Sequence, residues 1–116
     1  GFKDSEITKA SGDEGVDIIT YKDGVKVAVQ CKRYTNKISN SAVQEVFSGK
    51  HYYDCQEAYV ITNSHFTANA ITLAEKLQVK LIDREGLLIL IANINEQFEG
   101  SNEAYQTEFT FDNKEI

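Results

Sequence analysis

The chain has no methionine, only two cysteines, no long apolar run and no excess of basic residues. A membrane-spanning helix needs roughly 18 or more consecutive apolar residues, and no stretch approaches that. No secretory signal is visible, although a processed chain would have lost one. Cys31 and Cys55 make neither a disulfide framework nor a metal motif, and a cytoplasmic location is the expectation. A Walker-type phosphate loop is missing, so ATP hydrolysis has no support. Asn63-Ser64-His65 is neither a glycosylation acceptor nor a nucleophile motif, and His51 and His65 read as surface or capping residues. The start at Gly1-Phe2-Lys3 without methionine suggests a fragment, a processed chain or a trimmed one. The net charge of −6 argues against a general DNA-binding surface, because most nonspecific affinity for DNA is electrostatic.

What is present fits one globular domain: 116 residues, 41% hydrophobic and 26% charged. The charge is uneven. Lys22, Lys26, Lys32, Arg33, Lys37 and Lys50 cluster in the first half. Asn93 to Ile116 instead carries six carboxylates against Lys114 alone. The expected division is a core over 1–95 and an acidic C-terminal extension over 96–116. Tyr105 to Phe111 alternates apolar and polar and reads as a final strand or arm. Such a tail is a solvating segment or a DNA mimic that covers a site.

Periodicity and turn chemistry place the elements. Phe2 to Ala10 reads as a first strand, and Ser11 to Gly15 as a loop. Runs rich in β-branched residues, about 16–22 and 25–33, flank Asp23-Gly24, a strong hairpin signal. Val43, Val46, Phe47, Lys50 and Tyr53 recur at helical spacing over 41–53, with Ser39 or Asn40 as cap. Residues 57–62 form a strand. Thr67 caps a helix over 68–77 whose face is Ala70, Ile71, Ala74 and Leu77. A short strand covers 79–82, and Asp83 caps a helix carrying Leu87, Leu88, Ile91 and Ile94. Hairpins first and crossovers later imply an α/β fold, a mixed sheet with helices on its faces.

The hairpin carries the chemistry. With Asp23 and Gly24 as the two loop residues, Lys22 pairs with Val25, and Asp17 falls opposite Gln30. Lys32, two residues on, shares that face. Cys31 then points the other way, with Val16, Ile18, Val27 and Val29, as a small core residue. A carboxylate, a carboxamide and an ammonium together can hold a divalent cation and a phosphodiester. Asp17 would anchor a hard cation through oxygen, Gln30 would add a neutral carbonyl, and the Cys31 backbone carbonyl is a further oxygen. Lys32 would steady developing negative charge. The alternative is a cross-strand Asp–Lys ion pair with a hydrogen-bonding glutamine at a sheet end.

The segments SGDEGVDII (11–19), VQCKRY (29–34), AVQEVFSGKHYYDC (42–55), AYVITNSHFTANA (58–70) and LIDREGL (81–87) resemble, in order, the Mrr-like restriction endonucleases of the PD-(D/E)xK nuclease superfamily. The resemblance implies a restriction-endonuclease-like fold and metal-dependent cleavage of DNA with Mg²⁺ or Mn²⁺. By position Asp17 matches the metal-binding Asp, Gln30 the acidic residue and Lys32 the Lys. Gln30 stands where most of the superfamily has Glu or Asp, as in Mrr-like members. The lost charge calls for another carboxylate, and Asp13, Glu14 and Glu45 are the nearby candidates.

The family's usual first helix is missing from the sequence. One sheet face is therefore expected to be bare unless a second subunit, the C-terminal segment or an absent N-terminal piece covers it. Ser11, Gly12, Arg33, Tyr34, Gln44 and Lys50 are the candidate DNA contacts. The expected partners are DNA and a second copy of the chain, since a homodimer suits cleavage of two strands. Rival readings are a catalytically weak or inactive DNA-binding or assembly module and a junction-resolving nuclease.

Overall fold

The computed structural model describes the backbone of residues 2–7 and 15–97, with side chains over 15–95. The elements in chain order are β1 (Phe2–Ile7), β2 (Ile18–Lys22), β3 (Val25–Lys32), α1 (Asn40–Tyr52), β4 (Glu57–Thr62), α2 (Ala68–Leu77), β5 (Val79–Ile82) and α3 (Arg84–Gln97). Five strands form one sheet in the order β1-β2-β3-β4-β5. The first two pairings are antiparallel and the last two parallel. The expected mixed α/β architecture is therefore present, and the element boundaries fall close to their expected positions. Ser11 to Glu14, the expected end of the first strand at 8–10, and the Tyr105–Phe111 strand lie outside the described residues.

The hairpin turns as its sequence dictates. Asp23 and Gly24 both have positive φ, 52° and 84°, the requirement of a type I′ turn. That turn sets the register Lys22↔Val25 through Ile18↔Val29. β3 and β4 are flanked on both sides, so apolar residues fill both of their faces. Alternate residues sort cleanly. Ala28, Ala58 and Val60 pack under α1 and α2 with Val43, Val46, Ala70 and Ala74. Val27, Val29, Tyr59 and Ile61 pack on the other face with Leu87, and Ile91 lies against them. Strand order 3-4-5 runs one way, so two right-handed crossovers put α1 and α2 on the same side.

Four expectations need correction. The bare sheet face does not appear. Among the described residues Val27, Val29, Tyr59 and Ile61 are buried on this face, Ile18, Val25, Cys31 and Ile82 are part-buried, and α3 contributes Leu87 to the cover. Leu88 is 54% exposed and Ile71 45% exposed, although each was expected on an apolar face. Each lies one residue, about 100° of helix, past the residue that carries its stripe, Leu87 or Ala70. Val16 joins Ile19 in the cluster under α1, not Ile18 and Val29. Finally, the β2–β3 ladder stops at Ile18↔Val29, so Asp17 is not a ladder partner of Gln30. Its N–H instead donates to the Val29 carbonyl at 2.8 Å. That one-residue offset, as in a bulge, also accounts for the reversed facing of Val16.

Candidate active site

β3 runs beyond the last paired residue of β2, so the Cys31 N–H on that side loses its ladder acceptor. The Asp17 carboxylate replaces it: Oδ2 accepts from the Cys31 N–H at 2.9 Å. Asp17 is thus tied to the residue between Gln30 and Lys32. Gln30 and Lys32 share the face toward α1, and both meet Glu45 there. The Gln30 Nε2 donates to Glu45 Oε1 at 3.2 Å. The Lys32 ammonium lies 3.8 Å from the same oxygen.

Two contacts bring α1 to this place. The crossover from β3 starts at the sheet edge where Gln30 and Lys32 end, so the first turns of α1 cover that edge. Gly15 then packs directly on the helix: a Cβ there would sit 2.6 Å from the Glu45 carbonyl oxygen, and its φ is +71°. Only glycine allows both the left-handed backbone and this approach. The loop that delivers Asp17 and the helix that delivers Glu45 are consequently in contact.

Gln30 is 4% exposed, and its Oε1 is a buried oxygen with no hydrogen-bond partner among the described residues. A buried acceptor without a partner is costly and calls for an explanation. A cation would supply one. The oxygens available nearby, from Asp17, Gln30 and Glu45, are the hard donors that Mg²⁺ and Mn²⁺ select. The residues present therefore fit a divalent metal. Of the three carboxylates expected to compensate for Gln30, Glu45 is the one the described structure brings in, while Asp13 and Glu14 lie outside it.

The remaining candidates scatter. Arg33 is exposed beside Lys32, and Gln44 is exposed on α1. Tyr34 is half-buried against the core, and its N–H donates to Asn63 Oδ1 at 3.0 Å. Lys32 and Tyr34 line a small hollow of about 50 Å³ with Ser39 and Ser41. Lys50 is elsewhere. Five residues past Glu45, it lies about 140° around the helix. It lines a separate cleft of about 450 Å³ with Gln56, Glu57, Glu75 and Lys80. Cys31 is half-buried against the second cluster, as expected, and Cys31 and Cys55 form no disulfide. Burial pushes the Cys55 thiol above its ordinary pKa.

Two features escaped sequence reasoning. His65, Asp83 and Glu85 place one ligand atom each within 4.8 Å of one another, two of them exposed. His65 and Glu85 are 3.2 Å apart. Only the parallel β4–β5 topology juxtaposes these loops. The second feature is a run of polar side chains, Thr62-Asn63-Ser64, bonded to the segment after Lys32. Its signal was present as three consecutive small polar residues after an apolar strand.

The family model for restriction endonucleases, the Mrr catalytic domain, matches residues 1–91. The chain belongs to this Mrr-type restriction endonuclease family. The family is described as one of restriction endonucleases, and the mixed α/β sheet is consistent with a restriction-endonuclease-like fold. A solved protein described as of unknown function, AF1548, has a similar fold, with a TM-score of 0.60 and 15% identity over 72% of this chain. The chain spans about half the length of that protein, 50%. No curated protein matches the chain. Among the described residues no helix is long and apolar enough to cross a membrane.

Proposed function

We propose that this Mrr-type domain hydrolyses phosphodiester bonds in DNA at the Asp17–Gln30–Lys32 site, with Glu45 as the further carboxylate and Mg²⁺ or Mn²⁺ as cofactor. The observation that carries the reading is the buried Oε1 of Gln30, without a hydrogen-bond partner among the described residues, in a side chain whose Nε2 meets Glu45 and whose neighbour Cys31 is bonded to Asp17. Asp17 and Glu45 supply the negative charge that Gln30 lacks, and Gln30 adds its oxygen. The Cys31 backbone carbonyl remains a candidate ligand. Asp17, Gln30 and Glu45 would hold the cation, which would supply a lowered water pKa and charge neutralisation at the phosphate. Lys32 offers its ammonium to the phosphate oxygen on which charge grows. Its position 3.8 Å from Glu45 Oε1 keeps it at the site before substrate arrives.

Arg33 and Lys37 are exposed after Lys32 and suit contact with the DNA backbone, with Tyr34, Gln44, Ser11 and Gly12 as further contacts. Lys50 belongs to this set only if DNA reaches the far cleft. Two copies acting together would cut both strands. Purified protein incubated with supercoiled plasmid is expected to nick or linearise it with Mn²⁺ and to leave it intact with EDTA. Plasmid intact under both conditions counts against the reading, as does cleavage indifferent to EDTA. Sedimentation with DNA present is expected to show a dimer.

A further inference from the structure

The parallel ladder between β3 and β4 ends at Lys32↔Thr62. Beyond it the two chains would be free to part. They do not, because the side chains of Thr62, Asn63 and Ser64 continue the pairing. The Thr62 hydroxyl donates to the Lys32 carbonyl at 2.7 Å and accepts from the Ser64 N–H at 3.0 Å. Asn63 Oδ1 accepts from the Tyr34 N–H at 3.0 Å. The Ser64 hydroxyl donates to the Asn36 carbonyl at 2.8 Å. The bonded residues are 32, 34 and 36, every second one, which is the spacing of a strand edge. Thr62 is 0% exposed and Ser64 8%, so the bond between them is buried, while those to Lys32, Tyr34 and Asn36 are part-buried. Past them, the Ile38 N–H donates to the His65 carbonyl at 2.8 Å, which closes the stitched segment.

We infer that Thr62, Asn63 and Ser64 are positioning residues: they fix the backbone of Lys32 and hold residues 33–37 as a rigid edge that presents Arg33 and Lys37 to the DNA backbone. This rests on the proposed role of Lys32. The physical reason for such a device is geometric. A lysine ammonium sits at the end of a flexible stem, so its aim depends on how firmly its Cα is held. A displacement of about 1 Å at a reacting centre can cost on the order of 100-fold in rate. Securing the Lys32 carbonyl from a fully buried hydroxyl restricts that displacement. Thr62 touches neither substrate nor metal in this scheme and acts through the Lys32 carbonyl and the Ser64 N–H. Binding of DNA should depend on it far less than turnover does.

The test compares Thr62→Val, Thr62→Ser and Asn63→Ala with the unaltered protein in two measurements. The first is amide hydrogen exchange. Asn63→Ala is expected to speed exchange at Tyr34 by about tenfold or more, with Val27 and Val29 unchanged. Unchanged protection at Tyr34 overturns the inference, and because Asn63 is only half-buried this variant reads out even if Thr62→Val does not fold. The second is plasmid cleavage with Mn²⁺. Thr62→Val is expected to lower kcat by about tenfold or more with KM within about twofold, and Thr62→Ser to restore it. Wild-type kcat in Thr62→Val, or a Thr62→Ser variant as impaired as Thr62→Val, overturns the inference. If Lys32→Ala cleaves as fast as wild type, the proposed role of Lys32 fails, and the inference fails with it as a catalytic device. In that case exchange at Tyr34 alone decides whether the stitching itself is real.

Discussion

Replacing a carboxylate by an amide at a metal site removes one charge, and at the proposed site Glu45 would make up that loss. Glu45 reaches the Gln30 amide from the first turns of α1 and is 3.8 Å from the Lys32 ammonium. Glu45→Gln should therefore weaken Mg²⁺ or Mn²⁺ binding by about tenfold or more, because ligand charge sets affinity for hard cations. Calorimetric titration with Mn²⁺ checks this, and unchanged affinity would remove Glu45 from the site. Asp17→Asn is the cleaner probe of the anchor. It keeps an acceptor for the Cys31 N–H while removing the charge, so folding should survive and metal binding should be lost. Lys32→Ala should leave metal affinity in place and lower cleavage by about 100-fold or more. Its stability should change by no more than about 1 kcal/mol, since the ion pair with Glu45 is half-exposed. Wild-type cleavage by either the Asp17 or the Lys32 variant would dismiss this assignment of roles.

At the scale of elements, the site is a junction of three pieces: the end of β3, the loop before β2 and the start of α1. Gly15 is where loop and helix touch. Gly15→Ala must accept both a left-handed backbone and an overlap with the Glu45 carbonyl, where a Cβ would lie 2.6 Å away. We expect a loss of about 1–3 kcal/mol in urea unfolding, together with weaker Mn²⁺ binding as Asp17 and Glu45 separate. A variant as stable as wild type would show that the loop can shift without consequence. Helix caps provide a contrast. Thr67 Oγ1 accepts from the Ala70 N–H at 3.1 Å, as the sequence suggested, whereas Ser39 makes no such bond to α1. Thr67→Ala should cost about 1 kcal/mol and Ser39→Ala little, a difference that thermal melts can resolve. The cap at Thr67 was legible because the hydroxyl acts on its own next turn. The fate of Ser39, 3.3 Å from the Ser41 hydroxyl, depends on a neighbouring side chain.

At the scale of the molecule, one sheet divides two apolar layers, and Val60 lies at the centre of the layer under α1 and α2 with 0% exposure. Val60→Ala should cost about 2 kcal/mol in chemical unfolding, with the metal site intact in the folded fraction. The sequence by itself determined the strand and helix order, the hairpin register and the sharing of one face by Gln30 and Lys32. These follow from local rules: the Asp23-Gly24 turn, two-residue alternation and helical periodicity each act within a few residues. Tertiary structure decided the rest. That Glu45 meets Gln30 depended on where α1 crossed the sheet, and no spacing records that. The slip at Asp17 depended on where β2 ran out of partner, and the cover of the second sheet face on the path of α3. The bonds from Thr62, Asn63 and Ser64 to Lys32, Tyr34 and Asn36 likewise join residues about thirty apart. Contacts at that separation are set by the packing of whole elements, which no single segment encodes.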